Sequence, residues 1–338
     1  MHADSRLLII AEAGVNHNGD LGRARDMVSA AAEAGADYVK FQAFDAAELI
    51  APGTATAGYQ QSNTGEADQI ALVKPLELSR DDFSDLAELC AKRGVKFLAT
   101  PFDIEFTADL VGLGMDRLKI ASGELTNDPA LIHFASFGLP ILMSTGMATM
   151  GEVAHAVDVL REAGARDVTL LHCTSLYPAP DQTLNLRALP TMADAFGLPV
   201  GYSDHSLGDH AAIAAVALGA TVIEKHFTLD KSLPGPDHAA SLEPDELKTM
   251  IDKLRTIEIM LGDGQKRPAR GEPETAALVR RSWHAARDLS AGTLLVEDDL
   301  VLKRPANGLA PKERLVGRRL RVPLSADEPI RATDLSSV

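Results

Sequence analysis

The sequence predicts an α/β fold, a (β/α)8 TIM barrel followed by a small β-rich domain. Three observations carry that prediction. Eight short apolar, β-branched runs alternate with Ala-rich helical stretches over about 260 residues, close to the usual length of such a barrel. Gly35, Gly94, Gly164 and Gly219 each follow a helical stretch just before the next apolar run, where a left-handed cap ends a helix. From Gly262 to Glu274 the composition turns to Gly, Pro and charge, which marks a linker.

The strands are expected at Leu7–Ala11, Asp37–Phe41, Lys96–Thr100, Arg117–Ala121, Ile141–Thr145, Val168–Cys173, Val200–Ser203 and Val222–Phe227. Helical patterns such as Leu21–Ala34 and Asp81–Arg93 fill the spaces between them. Residues 1–262 are therefore expected to form the barrel, 263–279 the linker and 280–338 the small domain. The segment Asp45–Leu78 is too long for an ordinary connection and is expected to loop over the barrel mouth. In the small domain, Leu289-Ser290-Ala291 through Asp299-Leu300 echoes Leu324-Ser325-Ala326 through Asp334-Leu335. The copies lie 35 positions apart and suggest two similar halves of one module.

Hydrophobic residues make up 46% of the 338, enough to bury a sizeable core. Lys plus Arg number 33 against 48 Asp plus Glu, a formal charge of −15, which argues against nucleic acid as a partner. A small anion is still allowed, because a few local cations dominate inside a pocket. The two cysteines, Cys90 and Cys173, are far apart, so neither a disulfide framework nor a thiolate zinc site is expected. The apolar run Leu7–Ile10 stops at Glu12, too short for a signal peptide, and Ala211–Leu218 is too short to span a bilayer. A cytoplasmic protein without membrane contact is the expectation.

Active sites of these barrels lie at the C-terminal ends of the strands. Polar residues stand there on all eight: Glu12; Lys40 and Gln42; Thr100 and Phe102 (the one apolar neighbour); Lys119, Ser122 and Glu124; Ser144; Ser175 and Tyr177; Ser203 and His205; Glu224 and His226. Burying so many polar groups without a purpose would cost several kcal/mol each. Strand alternation puts Glu224 and His226 on one face and turns Lys225 toward the helices. His205 and His226 end neighbouring strands and could share one divalent ion; the residue types allow Mn, Fe, Co or Zn. Lys40 and Lys119, with the hydroxyls of Thr100, Ser122, Ser144 and Ser203, suit a phosphate and a carboxylate. Glu12, Glu124 and Glu224 are candidates for proton transfer.

Taken together these segments resemble the sialic acid synthase family of N-acetylneuraminate and legionaminate synthases. The strings that carry the resemblance begin with Glu12-Ala13-Gly14-Val15-Asn16-His17, Val39-Lys40-Phe41-Gln42, Thr100-Pro101-Phe102 and Lys119-Ile120-Ala121-Ser122-Gly123-Glu124. They continue with Ser144-Thr145-Gly146-Met147, Leu171-His172-Cys173 through Tyr177-Pro178, Ser203-Asp204-His205 and Glu224-Lys225-His226. Pro234-Gly235-Pro236-Asp237 and Lys303-Arg304-Pro305 complete them. One departure is Ser175, where some members carry Asn.

The resemblance implies a barrel followed by an antifreeze-like (SAF) domain. It also implies a homodimer in which that domain covers the partner's active site. It implies that His205 and His226 hold Mn2+ or Mg2+, with Glu224 supporting the ion through water. Lys40, Thr100, Lys119, Ser122, Ser144, Tyr177 and Ser203 would bind phosphoenolpyruvate. Gln42, Asp237 and the partner subunit's Arg304 would face an amino-sugar aldehyde. Glu124 is the first choice for handling the water proton and Glu12 for orienting the sugar. The expected reaction joins phosphoenolpyruvate, an N-acetylmannosamine-type sugar and water into a nonulosonic acid plus phosphate. N-acetylneuraminate is the first product considered, and N,N'-diacetyllegionaminate or pseudaminate the alternative. More distant readings are a metal-dependent keto-acid aldolase, or a carbohydrate-binding module on an inert barrel.

Overall fold

The computed structural model describes residues 6–336. Its first eight strands are β1 (Leu8–Gly14), β2 (Tyr38–Ala43), β3 (Lys96–Pro101), β4 (Leu118–Ile120), β5 (Ile141–Ser144), β6 (Val168–Cys173), β7 (Val200–Asp204) and β8 (Val222–His226). They pair in parallel in the order β3-β2-β1-β8-β7-β6-β5-β4, and the two ends of that order lie against each other. This is the (β/α)8 barrel that the alternation of apolar runs predicts.

The helices are α1 (Leu21–Ala34), α2 (Ala46–Leu49), α3 (Gly58–Thr64), α4 (Gln69–Val73), α5 (Arg80–Arg93), α6 (Ile104–Gly112), α7 (Asp128–Ala135), α8 (Met150–Glu162), α9 (Ala188–Phe196), α10 (His210–Ala217), α11 (Pro244–Leu261) and α12 (Glu272–Val279). Local chemistry sets their ends. The Asp20 carboxylate accepts the Arg23 N–H at the start of α1, and Gly35 at φ 87° ends it. Ser79 and Asp82 form a reciprocal capping box on α5, which Gly94 ends at φ 75°. Ile9, Ile10, Val39, Leu98, Leu118, Leu170 and Ile223 are fully or almost fully buried along the strands and join the large core. No helix of the described residues is long and apolar enough to cross a membrane.

Two regions differ from expectation. The 45–78 segment is not an open loop: it holds α2, α3 and α4, and Asp45 and Asp68 caps that the loop reading overlooked start the first and the last of them. The segment read as a linker, 263–279, carries α12. The chain divides into two compact units, Met1–Asp263 and Gly264–Val338. The first five and last two residues of the predicted domain spans lie outside the described residues.

In the second unit β9 (Ser282–Ala285) pairs antiparallel with β10 (Leu300–Lys303). The internal repeat has a structural counterpart. Leu289 and Leu324, 35 positions apart, exchange both backbone hydrogen bonds, at 2.8 and 2.9 Å. The Gly292 N–H donates to Leu320 O at 2.8 Å, and Asp327 N–H donates to Ala285 O at 2.9 Å. Moving each partner by one repeat converts the one bond into the other, so the halves are related by a local two-fold. Asp327 stands where the first copy has Gly292 and shares its positive φ, 68° against 84°. The core of this unit is Leu289, Leu295, Leu315, Leu320, Leu324, Ile330 and Leu335.

Candidate active site

Strand register brings the predicted residues together. On β1, Glu12 stands opposite Lys40 on one side and His226 on the other. Ser203 is opposite both Cys173 and Glu224, and Gln42 is opposite Thr100. Lys40 Nζ lies 2.8 Å from Glu12 Oε2 and 3.7 Å from Glu224 Oε2, and it donates to Thr100 Oγ1 at 2.8 Å. Lys119 Nζ donates to Ser144 Oγ at 2.7 Å and lies 3.7 Å from Glu224 Oε1. That same oxygen accepts from Ser203 Oγ at 2.8 Å, and Gln42 Nε2 donates to Glu12 Oε1 at 3.2 Å.

All four ionisable groups are buried, so two ammonium groups face two carboxylates away from water. Burial opposes charge on Lys40, but Glu12 and Glu224 outweigh it and raise its pKa. Burial likewise opposes charge on Glu224, and Lys119 and Lys40 overcome it to hold the carboxyl below its usual range. For Glu12 burial wins over Lys40, and its pKa is raised; for Lys119 burial also wins, and its pKa is lowered. The cluster is internally balanced: Lys40 is met by two carboxylates and the Thr100 hydroxyl, and Lys119 by Glu224, the Ser144 hydroxyl and the Ile120 carbonyl at 3.3 Å.

His205 and His226 lie side by side with ring centroids 5.3 Å apart. His205 Nδ1 is 2.8 Å from Thr174 O, which fixes it as the donor nitrogen and leaves Nε2 with a lone pair. His226 Nδ1 is buried without a hydrogen-bond partner. Burial holds His226 neutral, well below the usual imidazole range. Burial works the same way on His205, but Cys173, with its sulfur 3.7 Å from Nδ1, turns that shift upward. Among the described residues no cluster of three or more His, Cys, Asp or Glu side chains is arranged to hold a metal. The two imidazoles alone could offer an ion two protein nitrogens, with the rest of its shell left to water or substrate oxygens. The buried, unpartnered His226 Nδ1 supports that fit.

Beside the lysines is a cradle of small groups. Gly146 N–H donates to Ser122 Oγ at 3.0 Å, and Ser122 Oγ lies 3.8 Å from Cys173 Sγ. A Cβ on Gly146 would meet Ser175 Oγ at 2.2 Å and Ser122 Oγ at 2.8 Å. Tyr177 packs its ring on His205, centroids 4.0 Å apart, and edge-on to His226 at 5.7 Å. A cavity of about 390 Å³ extends from here, and its walls include Gln42, Phe102, Glu124, Tyr177 and Asp237. Asn127 Nδ2 donates to Glu124 Oε2 at 2.7 Å. Asp237 is buried, and desolvation pushes its carboxyl up to about 6. Arg304 belongs to the second unit, exposed just after β10.

Sequence reasoning missed three parts of this region. Cys173 touches both Ser122 and His205, whereas the sequence was read for cysteines only as disulfide or zinc partners. Asp204 and Lys225, each adjacent to a candidate ligand, form a fully buried ion pair at 2.9 Å on the outer face of β7 and β8. Asp204 Oδ1 also accepts from the Ser206 N–H and hydroxyl, so the pair braces both histidine-bearing strand ends. The strand alternation that turned Lys225 outward was the available signal. Third, α2, α3 and α4 supply much of the cavity wall.

A parallel barrel with a buried lysine–carboxylate–imidazole cluster at its strand ends, followed by a separate small β unit, defines an architecture suited to small anionic and polar substrates. The chain belongs to the NeuB family, the sialic acid synthase family: the NeuB model matches residues 27–266 and the SAF domain model residues 280–336. It is 50% identical to N,N'-diacetyllegionaminic acid synthase of Legionella pneumophila, over 94% of this chain and 91% of that protein. It is 46% identical to the protein of the same name from Campylobacter jejuni, over 96% and 99%. Among solved structures, N-acetylneuraminic acid (sialic acid) synthetase of Leptospira borgpetersenii, crystallised with citrate, matches with TM-score 0.72 at 37% identity, covering 80% of this chain and 90% of that one.

Proposed function

We propose that this chain condenses phosphoenolpyruvate with the 6-deoxy diacetamido analogue of N-acetylmannosamine and water, giving N,N'-diacetyllegionaminate and inorganic phosphate. The observation that carries the chemistry is the buried pair Lys40 and Lys119, ringed by Thr100, Ser144, Ser203 and the Ser122–Gly146–Ser175 cradle. Sequence motifs alone favoured N-acetylneuraminate as product. The relatives at 50% and 46% identity bear the legionaminic name, whereas the likeness to the N-acetylneuraminic synthetase is 37%. That difference moves the acceptor to the diacetamido sugar.

In this reading C3 of phosphoenolpyruvate bonds to the aldehyde carbon, and positive charge develops at C2. The oxygen of water adds there, and the C2–O bond breaks so that the bridging oxygen departs with phosphate. Lys40 and Lys119 offset the phosphate and carboxylate charge, and the cradle hydroxyls orient it. Glu124 accepts the proton from water, and Glu12, held by Lys40 and Gln42, orients the sugar. A divalent ion, Mn2+ or Mg2+, on His205 and His226 would supply Lewis-acid polarisation of the aldehyde oxygen. The same reading carries a homodimer in which Arg304 serves the partner's sugar site.

The test is a panel of acceptors incubated with phosphoenolpyruvate labelled at its bridging oxygen, read by phosphate release and product mass. The diacetamido sugar should give the highest kcat/KM, and the label should leave in phosphate. Highest turnover with N-acetylmannosamine overturns the acceptor; label retained in the keto acid overturns the bond cleavage.

A further inference from the structure

The cavity wall carries two kinds of residue. Gln42, Glu124, Tyr177 and Asp237 are polar, and Tyr177 packs on His205. Phe44, Leu49, Ile50, Val73 and Leu76 are apolar and come from the 45–78 segment and the residue just before it. Val15, Phe44 and Leu76 form a small buried cluster of their own, joined by Val73 and Phe102, with Phe44 and Phe102 edge to face at 6.4 Å. Two amides punctuate this wall, Gln60 on α3 and Gln69 on α4. Gln60 Oε1 accepts the Ala57 N–H at 3.1 Å, which fixes the side chain and leaves its Nε2 as a donor. Among the described residues no Lys or Arg lines the cavity.

We propose that this helical cap is the acceptor-specificity element: its apolar wall, centred on Val73 and Leu49, takes an unsubstituted C6 methyl group, and the Gln60 and Gln69 amides take the C4 acetamido group. The inference rests on the acceptor reading above and deepens it. The reacting aldehyde must sit among the lysines and imidazoles, so the far end of the sugar faces the cap. A methyl group there loses water contact on both sides, as the wall does. A C6 hydroxyl in the same place would give up its hydrogen bonds to water and find aliphatic carbon. A C6 phosphate would meet no cation of the cavity wall. Pockets of this type separate a methyl from a hydroxyl-bearing group by on the order of 10–100-fold.

The experiment uses the full-length metal-loaded enzyme and three acceptors: N-acetylmannosamine, its 6-deoxy form, and the 6-deoxy diacetamido form. The first two differ only at C6, the last two only at C4. Wild type should favour 6-deoxy over 6-hydroxy by about 10–100-fold in kcat/KM. Val73→Thr, equal in shape but bearing a hydroxyl, should shrink that ratio several-fold; Leu49→Thr, on a more exposed residue, is the second variant should Val73→Thr fail to fold. Gln60→Leu and Gln69→Leu should instead erode the C4 preference. If wild type takes N-acetylmannosamine best, both the acceptor reading and the cap assignment fall. If the diacetamido sugar is best but C6 makes no difference, or the folded threonine variants keep the wild-type C6 ratio, the cap assignment alone is overturned.

Discussion

Lys40 Nζ lies 2.8 Å from Glu12 Oε2, and the two residues stand directly opposite each other in the β1–β2 register. The lysine is thus held by the carboxylate across its own rung, while its Nζ reaches up the neighbouring strand to donate to Thr100, which stands opposite Gln42. Lys40→Met should raise the KM for phosphoenolpyruvate by roughly 10–150-fold, the value of a charged hydrogen bond of about 1.5–3 kcal/mol. Steady-state titration of phosphoenolpyruvate at saturating acceptor measures it. An unchanged KM would remove Lys40 from the binding role.

The imidazole pair predicts a metal requirement. Exhaustive chelation should abolish turnover, and added Mn2+ or Mg2+ should restore it. His205→Ala and His226→Ala should each lower Mn2+ affinity by at least about tenfold, since a two-nitrogen site loses half its protein donors. Paramagnetic resonance of free Mn2+ reads this without catalysis. Full activity in chelated enzyme would falsify the assignment.

Gly146 offers a steric test of the cradle. Its backbone is not in the left-handed region, so alanine is tolerated there conformationally. Its Cβ would nevertheless intrude on Ser175 and Ser122 oxygens at 2.2 and 2.8 Å. Gly146→Ala is expected to weaken phosphoenolpyruvate binding more than acceptor binding while the melting temperature moves little. Equal losses for both substrates would place the cradle elsewhere.

His17 makes stability pH-dependent. Burial lowers its pKa to about 4 in the fold, whereas an unfolded histidine titrates near 6.5. The unfolded chain therefore binds the proton first. Its contribution is intact above the unfolded pKa and is lost as pH falls from about 6.5 toward 4, at about 1.4 kcal/mol per pH unit. His238, also brought down to about 4 by burial, acts in the same window. His17→Gln, which keeps an acceptor for the Gly19 N–H, should flatten the decline in urea midpoint between pH 6.5 and pH 5. Parallel pH profiles for variant and wild type would rule His17 out as the source.

Arg304 tests the proposed dimer. Arg304→Ala should raise the acceptor KM by roughly 10–150-fold, a charged hydrogen bond of about 1.5–3 kcal/mol. Mixed with Lys40→Ala subunits, it should regain activity, because one site then combines an intact barrel with an intact arginine. With subunit exchange confirmed by mass, absent recovery would confine Arg304 to its own chain.

The order of barrel elements was legible because apolar runs, glycine stops and caps are local features, readable within a dozen residues. The same holds for Glu12, Lys40, Glu224 and His226, which end strands on a common face through strict two-residue alternation. The 35-residue repeat was legible too, and its meaning, Leu289 and Leu324 bonded to each other about a local two-fold, needed the folded unit. What tertiary structure alone decided is which polar groups neutralise one another and what closes the cavity. Lys40 takes Glu12 while Lys119 takes Ser144, and Asp204 pairs with Lys225 behind the strands, because register and burial choose among partners far apart in sequence. The 45–78 segment looked like a loop because α2, α3 and α4 are too short for a periodic signal; its two ends are anchored where Phe44, Val73 and Leu76 cluster with Val15 and Phe102.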